Sequence, residues 1–155
     1  MLSPTQIQEH TTYTHTRYSH IWNMYMGALE LGLLPNPASI PANKLIPPSL
    51  DCHYTKTQYL GRFHAREWKV EINLAYYVVM QDKEQLDDTI AHELAHSLQW
   101  KLCPQFKDWH GKEFRQIMAA IGYKGRATVS TPYRTKDKVA AVAKAAKDIQ
   151  LLSLL

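Results

Sequence analysis

Residues 83–101 constrain this chain more than any other part of its sequence. Asp82, followed three residues later by Gln85, is a helix-capping pattern, and Pro104 bars a helix from continuing past this stretch. Apolar positions recur within it at a spacing of four residues: Ile90, Leu94 and Leu98. The sequence therefore predicts an amphipathic helix with one face in the core.

Two histidines of this helix, His92 and His96, are four residues apart and so lie one turn apart, away from the apolar stripe. Imidazole nitrogens bind zinc, and a catalytic zinc site uses three protein ligands and leaves one position open. Glu93 lies beside the same face, where it can accept a proton from a water molecule at the metal. Glu93 is therefore the predicted catalytic base, although the bare His-Glu-x-x-His pattern also occurs by chance.

The third metal ligand is predicted at His110, which lies at the junction between a loop and the next helix. That helix is expected over residues 111–121, with Phe114 and Met118 packing beneath the site. A loop histidine without a ligand role is the alternative for this position. With it included, the sequence predicts one Zn²⁺ per chain and the following ligands: His92, His96 and His110.

An N-terminal helix and a proline-rich loop precede this region. Ser3, Pro4 and Gln6 form a capping pattern at the start of the helix, and Gly32 is placed to end it. Apolar and aromatic residues recur between them at helical spacing: Ile7, Tyr18, Ile21, Trp22, Tyr25 and Leu29. Residues 35–48 contain five prolines, so we expect a loop without regular structure there.

Three short segments have the composition of strands, and we expect them to form a small antiparallel sheet: residues 51–57, 58–64 and 68–74. His53 and His64 then fall on adjacent strands, as cross-strand neighbours more often than as ligands. The predicted fold is α+β, with helices packed on this sheet and a C-terminal helix over residues 136–152. The 155 residues suit one main core, and we expect a domain over residues 1–123 and a basic helical tail over residues 124–155.

The excess positive charge is concentrated in this tail. Residues 123–155 hold seven Lys/Arg and two Asp/Glu, whereas residues 1–122 hold 11 and 12. Such asymmetry indicates an acidic partner, with single-stranded DNA the first candidate and a merely solvated tail the alternative. The tail also has apolar positions that could dock on the domain or on a partner: Val139, Val142, Ala146 and Ile149.

The location of the protein is constrained weakly. Cys52 and Cys103 are far apart and form no CxxC pair, which favours a reducing compartment. No apolar run approaches the ~18 residues of a membrane span, and the first twenty residues lack the pattern of a secretory signal. We therefore expect a cytoplasmic protein without a membrane partner, with association with the nucleoid as an alternative. The sequence leaves the oligomeric state open.

HELAH followed by HGKEF and Met118 resembles the SprT-like metallopeptidases, the group that includes Spartan. The flanking strings INLAYYV and DDTIAHELAH also resemble that family, over roughly Tyr18 to Tyr123. The resemblance implies a minimal zincin fold, zinc held by the three histidines, catalysis by Glu93 and cleavage of proteins near or crosslinked to DNA. Two features differ from the family pattern: Phe114 replaces the commoner Trp, and the CxxC pairs of a C-terminal zinc ribbon are absent from this sequence.

Two other functions stay open. One is a zinc peptidase that cuts a regulatory protein without DNA, although the HGKEF element favours the SprT-like alternative over ImmA-like peptidases. The other is a DNA- or protein-binding module with structural zinc, and Glu93 argues against it because a structural site needs no base. The oxyanion of the reaction could be stabilised by Tyr76, Tyr77 or Tyr133, and no sequence feature selects one.

Overall fold

The computed structural model describes residues 2–56, 59–123 and 136–152. Within these ranges the elements are α1 (Pro4–Glu30), a 3-10 turn (Ala42–Lys44), β1 (Ser49–His53), β2 (Gly61–His64), β3 (Lys69–Asn73), α2 (Leu74–Met80), α3 (Lys83–Leu102), α4 (Lys112–Ala120) and α5 (Lys136–Leu152). The architecture is mixed α+β, as predicted. Among the described helices, none has an 18-residue stretch apolar enough for a membrane span. The ends of two predicted strands at residues 57 and 58, and residues 124–135 and 153–155 of the predicted tail, lie outside the described residues.

Helix α1 begins and ends where the sequence predicts. The Ser3 hydroxyl accepts a hydrogen bond from the Gln6 N–H at 3.2 Å, and the Gln6 side chain accepts one from the Ser3 N–H at 2.8 Å. At the other end Gly32 adopts a positive φ of 73°. The N–H of Leu33 then turns back to the carbonyl of Ala28 at 2.9 Å. Between these caps α1 presents to the core the apolar side chains Tyr18, Ile21, Trp22, Tyr25, Ala28 and Leu29.

The sheet is mixed, so the prediction of a purely antiparallel sheet is wrong. Strand β3 lies between the other two and pairs in parallel with β1 and antiparallel with β2. Although β1 and β2 follow each other in the chain, they are not neighbours. Val70 and Ile72 of β3 are almost completely buried, whereas neither β1 nor β2 contains a buried residue. The most apolar strand takes the central position, and the more polar strands take the edges. All three strands are also shorter than predicted.

The chain passes from β3 directly into α2, a helix that the sequence analysis does not predict. Its aromatic and β-branched residues favour a strand on propensity alone. Asn73 overrides this preference, because its Oδ1 accepts a hydrogen bond from the N–H of Ala75 at 3.2 Å and caps the new helix. The same side chain bonds both the N–H and the carbonyl of Thr55, at 3.1 and 3.0 Å. Asn73 therefore starts α2 and holds the loop after β1 against the end of β3.

Helix α3 packs between α1, the sheet and α4. Its predicted apolar stripe is confirmed, since Ile90, Leu94 and Leu98 are fully buried. The Tyr25 hydroxyl of α1 donates a hydrogen bond to the carbonyl of Ala91 at 2.8 Å. Near the start of α3, the carboxylate of Asp87 accepts two hydrogen bonds of 2.9 Å from the guanidinium of Arg17 on α1. These contacts fix the rotation of α3 about its axis.

Helix α5 packs against α2 and builds a second, smaller core. Val142 and Ala146, each 1% exposed, lie against Leu60, Ala75 and Tyr76. The apolar side of the predicted tail thus docks on the domain. Because α5 packs on residues of the predicted domain 1–123, we expect deletion of α5 to expose apolar surface on α2.

We predict that Val142→Ala lowers the free energy of unfolding of the full chain by roughly 1.5–2.5 kcal/mol. The substitution removes two buried carbons, worth about 0.8 kcal/mol each, and leaves a small cavity. Chemical denaturation followed by circular dichroism measures the change. Leu151→Ala is the matched control, because Leu151 is on the same helix and 50% exposed. Equal effects of the two substitutions would contradict docking of α5 in solution.

Candidate metal centre

Three histidine side chains converge where α3 meets the loop before α4. The Nε2 of His92 lies 3.1 Å from the Nε2 of His96 and 3.3 Å from the Nε2 of His110. One ring nitrogen of each histidine lies within 4.8 Å of the corresponding atoms of the other two. Zinc–nitrogen bonds of about 2.0–2.1 Å at tetrahedral angles put two ligand nitrogens about 3.3 Å apart. The three histidines that the sequence singles out are therefore brought together closely enough to share one metal ion.

Phe114 of α4 forms the floor beneath the three imidazoles. Its ring centroid lies 4.8 Å from that of His92, 4.7 Å from that of His96 and 5.2 Å from that of His110. Phe114 is fully buried, as is Met118 one turn later. Their predicted position beneath the site is confirmed for the phenylalanine, and both belong to the main core. A rigid ring in contact with all three histidines limits the rotamers that they can adopt.

The imidazole of His96 is held in its neutral form. Burial lowers its pKa to about 3, and the nearby His92 and His110 add to this effect because they disfavour another positive charge. Neutral imidazole is the form that binds a metal. The protonation state of His96 therefore suits a ligand.

The loop between α3 and α4 is tied down around Asp108. Its carboxylate accepts a hydrogen bond from the backbone N–H of His110 at 3.0 Å. Its carbonyl accepts two more, from the side-chain Nε2 of Gln99 at 2.9 Å and from the N–H of Gly111 at 3.1 Å. Through Asp108, the backbone of His110 is thus fixed both to its own loop and to α3.

Glu93 lies beside the histidine cluster and is almost completely buried, with 7% of its surface exposed. Its Oε1 is 4.0 Å from the Nε2 of His92, which is longer than a direct hydrogen bond. Burial raises the pKa of the Glu93 carboxyl to about 8, while the backbone N–H of Phe63 and the charge of Arg62 act in the opposite direction. A metal cation nearby would also favour the carboxylate. Burial and a bound cation would therefore act in opposite directions on the pKa of this carboxyl.

Gly61 on β2 makes the close approach of Glu93 to the sheet feasible. A Cβ atom at position 61 would lie 3.0 Å from the Cγ of Glu93 and 3.0 Å from the Cγ2 of Thr89. Such distances are tighter than nine in ten real Cβ contacts, so a larger residue would push the side chains of Glu93 and Thr89 away by a few tenths of an ångström. The sequence gives no sign of this role, because the contact depends on how α3 crosses the sheet.

Aromatic side chains beside the site extend from the histidine cluster toward β2. The ring of Trp109 lies 5.4 Å from that of His96, and this side chain is 40% exposed. It stacks on Trp100 at 5.9 Å, and that ring is 43% exposed. Phe63 of β2 lies 6.4 Å from Trp109. These rings form a partly exposed aromatic surface that continues from the metal centre toward β2.

The tyrosines considered for the oxyanion have other roles or lie outside the described residues. Tyr77 stacks on Tyr13 and packs edge-on against His10, both on α1. Tyr76 belongs to the second core with α5. Tyr133 lies outside the described residues.

His53 and His64 are not on adjacent strands, which corrects the expectation from the sequence. They lie on the two edge strands, and their Nε2 atoms approach opposite oxygens of Glu71 on the central strand, at 3.6 and 3.2 Å. The ammonium of Lys69 lies 3.4 Å from the same carboxylate. The ammonium of Lys69 thus balances the charge of Glu71, and this cluster is less suited to a metal than the histidine cluster on α3.

Comparison with known proteins gives one match. The sequence model of the SprT-like family matches residues 48–136, which is more than half of the chain. The matched region contains the whole sheet, α2, α3 and α4, and with them all three histidines and Glu93. No curated protein and no solved structure matches the chain.

We predict that His110→Ala loses most of the bound metal. Two nitrogens four residues apart on one helix would then be the only remaining imidazole ligands of the cluster. Elemental analysis of the purified full chain, loaded with zinc and desalted, measures occupancy per chain. His20→Ala, at an exposed position on α1, is the control and should keep full occupancy. Unchanged zinc in the His110 variant would show that the third ligand lies elsewhere.

Proposed function

The chain belongs to the SprT-like family, and on this premise we propose that it is a zinc-dependent endopeptidase that acts on DNA-associated or DNA-crosslinked proteins. The observation that carries the proposal is the position of Glu93. A buried carboxyl lies 4.0 Å from one nitrogen of a three-histidine cluster with the spacing of a metal site. A structural zinc site has no use for such a group, whereas hydrolysis needs a proton acceptor there.

The proposed ligands are His92, His96 and His110, and one Zn²⁺ per chain fits their nitrogen donors. When bound, zinc supplies a Lewis acid that lowers the pKa of water to about 7 and polarises the peptide carbonyl. Glu93 takes the proton from the attacking water as the new C–O bond forms. It then gives that proton to the amine nitrogen as the C–N bond breaks, so one side chain serves as base and acid in turn.

A polypeptide in extended conformation is the substrate that the surroundings of the site fit best. Strand β2 is an edge of the described sheet and lies directly beside Glu93, so its outer side can pair with a further strand. The exposed rings of Trp100 and Trp109 offer apolar surface to side chains of such a segment. This arrangement favours unfolded or flexible stretches of protein, which can lie flat along a sheet edge.

We predict that Glu93→Gln keeps its zinc and loses at least about 10²-fold in the rate of cleavage of an unfolded protein such as casein. The amide preserves the shape of the side chain but accepts no proton. Rates are measured by fluorescence of labelled substrate, and zinc by elemental analysis of the same samples. Glu84→Gln, an exposed position on the same helix, should cleave at the wild-type rate. Near-normal turnover by the Glu93 variant would exclude Glu93 as the base.

The DNA part of the proposal rests on charge. The described helix α5 carries four lysines and two aspartates, and residues 124–135 add three further basic residues without an acidic one. Its apolar side is occupied by α2, so the side that remains for a partner is the polar one. Lys144 and Lys147 are exposed there. The Nζ of Lys144 forms an ion pair with the Oδ2 of Asp148 at 3.0 Å. A basic surface of this kind suits the phosphates of single-stranded DNA.

We predict that the full chain binds single-stranded DNA at low salt and that Lys144→Glu with Lys147→Glu weakens this binding. If both lysines contact phosphates, the slope of log affinity against log salt should fall by about 1.4, since each contact contributes about 0.7. Fluorescence anisotropy of a labelled oligonucleotide at several salt concentrations measures the slope. These substitutions spare Val142 and Ala146, so docking of α5 is preserved.

The matched control reverses two exposed charges elsewhere, Lys44→Glu with Arg66→Glu, for the same change in net charge. An equal loss of affinity in both double variants would mean that only net charge matters. Absence of DNA binding by the wild-type chain, with casein cleavage intact, would favour the peptidase that works without DNA.

A further inference from the structure

We propose that Gln99 is a positioning residue that joins the two halves of the metal site, by hydrogen bonds to His96 on α3 and to the loop that carries His110. The inference rests on the proposed metal site and goes beyond it, since Gln99 is not itself a ligand. It explains how a ligand from a helix and a ligand from a loop keep one geometry.

The bond to the loop is direct. Gln99 is fully buried, and its side-chain Nε2 donates to the carbonyl of Asp108 at 2.9 Å. The carboxylate of the same Asp108 accepts the backbone N–H of His110 at 3.0 Å. Movement of Gln99 would therefore release the residue that orients the third histidine.

The bond to His96 is inferred from two buried polar atoms that both lack a hydrogen-bond partner in the described part of the chain. The Oε1 of Gln99 and the Nδ1 of His96 are both buried, and neither has a partner at strict hydrogen-bond distance among the described residues. Gln99 is three residues after His96 and so lies on the same side of α3. The side chain of Gln99 also lies close enough to the ring of His96 to interact with it. In the proposed hydrogen bond, the two side chains adjust so that acceptor and donor meet.

Metal binding supplies the reason for that adjustment. A histidine that offers the lone pair of Nε2 to a metal carries its proton on Nδ1, and this N–H needs an acceptor in a buried site. Oε1 of Gln99 is such an acceptor, and its position is fixed because the other end of the same amide is bound to Asp108. One side chain then sets both the tautomer of His96 and the position of the His110 loop.

The test compares Gln99→Met with Gln99→Glu in the full chain. Methionine keeps the length of the side chain and removes both hydrogen bonds. It should weaken zinc binding about 10–100-fold, the usual loss for a partner behind a metal ligand. Glutamate keeps an oxygen for the Nδ1–H of His96, so its zinc affinity should be closer to wild type than that of the methionine variant. Affinity is measured by competition with a chromophoric chelator, without any activity assay.

Absorption of the cobalt-substituted proteins gives a second readout, which a purely structural role of Gln99 would not change. The visible bands of the methionine variant should differ from those of wild type because the ligand geometry has changed. Ser97→Ala is the matched control, since Ser97 is also buried on α3 but donates to the carbonyl of Leu94. It should leave zinc affinity and the cobalt spectrum unchanged. Wild-type affinity and spectrum in Gln99→Met would overturn the inference, as would a glutamate variant that is folded and binds zinc as weakly as the methionine variant.

A measurement on the wild-type chain keeps the inference testable if a variant fails to fold. In the zinc-bound protein, long-range ¹H–¹⁵N spectra should show His96 with its proton on Nδ1 and in slow exchange with water. Fast exchange at this atom, or a proton on Nε2, would refute the role of Gln99. Failure of the proposed function looks different: the wild-type chain would bind no zinc, or would bind it and cleave nothing, whichever residue occupies position 99.

Discussion

Burial of one face of α3 is the constraint on which the rest of the site depends. Ile90, Leu94 and Leu98 are fully buried, so the helix cannot rotate without exposing them to water. Removing a side chain of that size from water is worth about 1.5–3 kcal/mol, and three of them act together here. With this face fixed, helical geometry alone directs His92 and His96 toward α4. The functional side of the helix is thus set by the side that has no chemical role.

The other half of the site depends on contacts between residues distant in the chain. Phe114 holds all three imidazole rings from below, and Asp108 orients the loop that bears His110. On the side of the sheet, β2 approaches so closely that a Cβ atom at position 61 would press on the side chain of Glu93. The candidate metal centre is therefore a junction of three elements. Helix α3 contributes two histidines, the loop before α4 contributes the third, and the edge strand β2 supports Glu93.

The sequence predicts what is local and periodic. The bounds of α1 and α3, and those of α5, follow from caps and helix-forming composition, and the cluster of His92, His96 and His110 follows from their spacing together with the family resemblance. It does not predict which strand is central, because that depends on competition among three strands for the same buried place. Nor does it predict α2, since the side chain of Asn73 outweighs the strand preference of the residues after it.

The roles of Gln99 and Gly61 are not predicted from the sequence, for different physical reasons. Gln99 is at a spacing of three from His96, so a search for polar residues on the ligand face of α3 could have found it. Gly61 gives no such signal, because its role arises from the close packing of two residues 32 positions apart, where an added Cβ would lie 3.0 Å from the Cγ of Glu93. Helical periodicity can identify residues that support a ligand on the same helix, such as Gln99. It carries no information about a strand that crosses that helix.

The tail and the carboxyl of Glu93 are physically connected, although the sequence separates them into domain and appendage. Val142 and Ala146 of α5 pack on Leu60, whose carbonyl accepts the N–H of Asn73 at 2.8 Å. The next residue is Gly61, against which Glu93 rests. The start of β2 is therefore held from one side by α5 and from the other by β3, and Glu93 lies against the strand so held. Removing the tail would disturb this support and any DNA contact at once, whereas reversing charges on the outer face of α5 changes only the second. For the same reason, the docking of α5 belongs to the structure of the site, whatever its basic face binds.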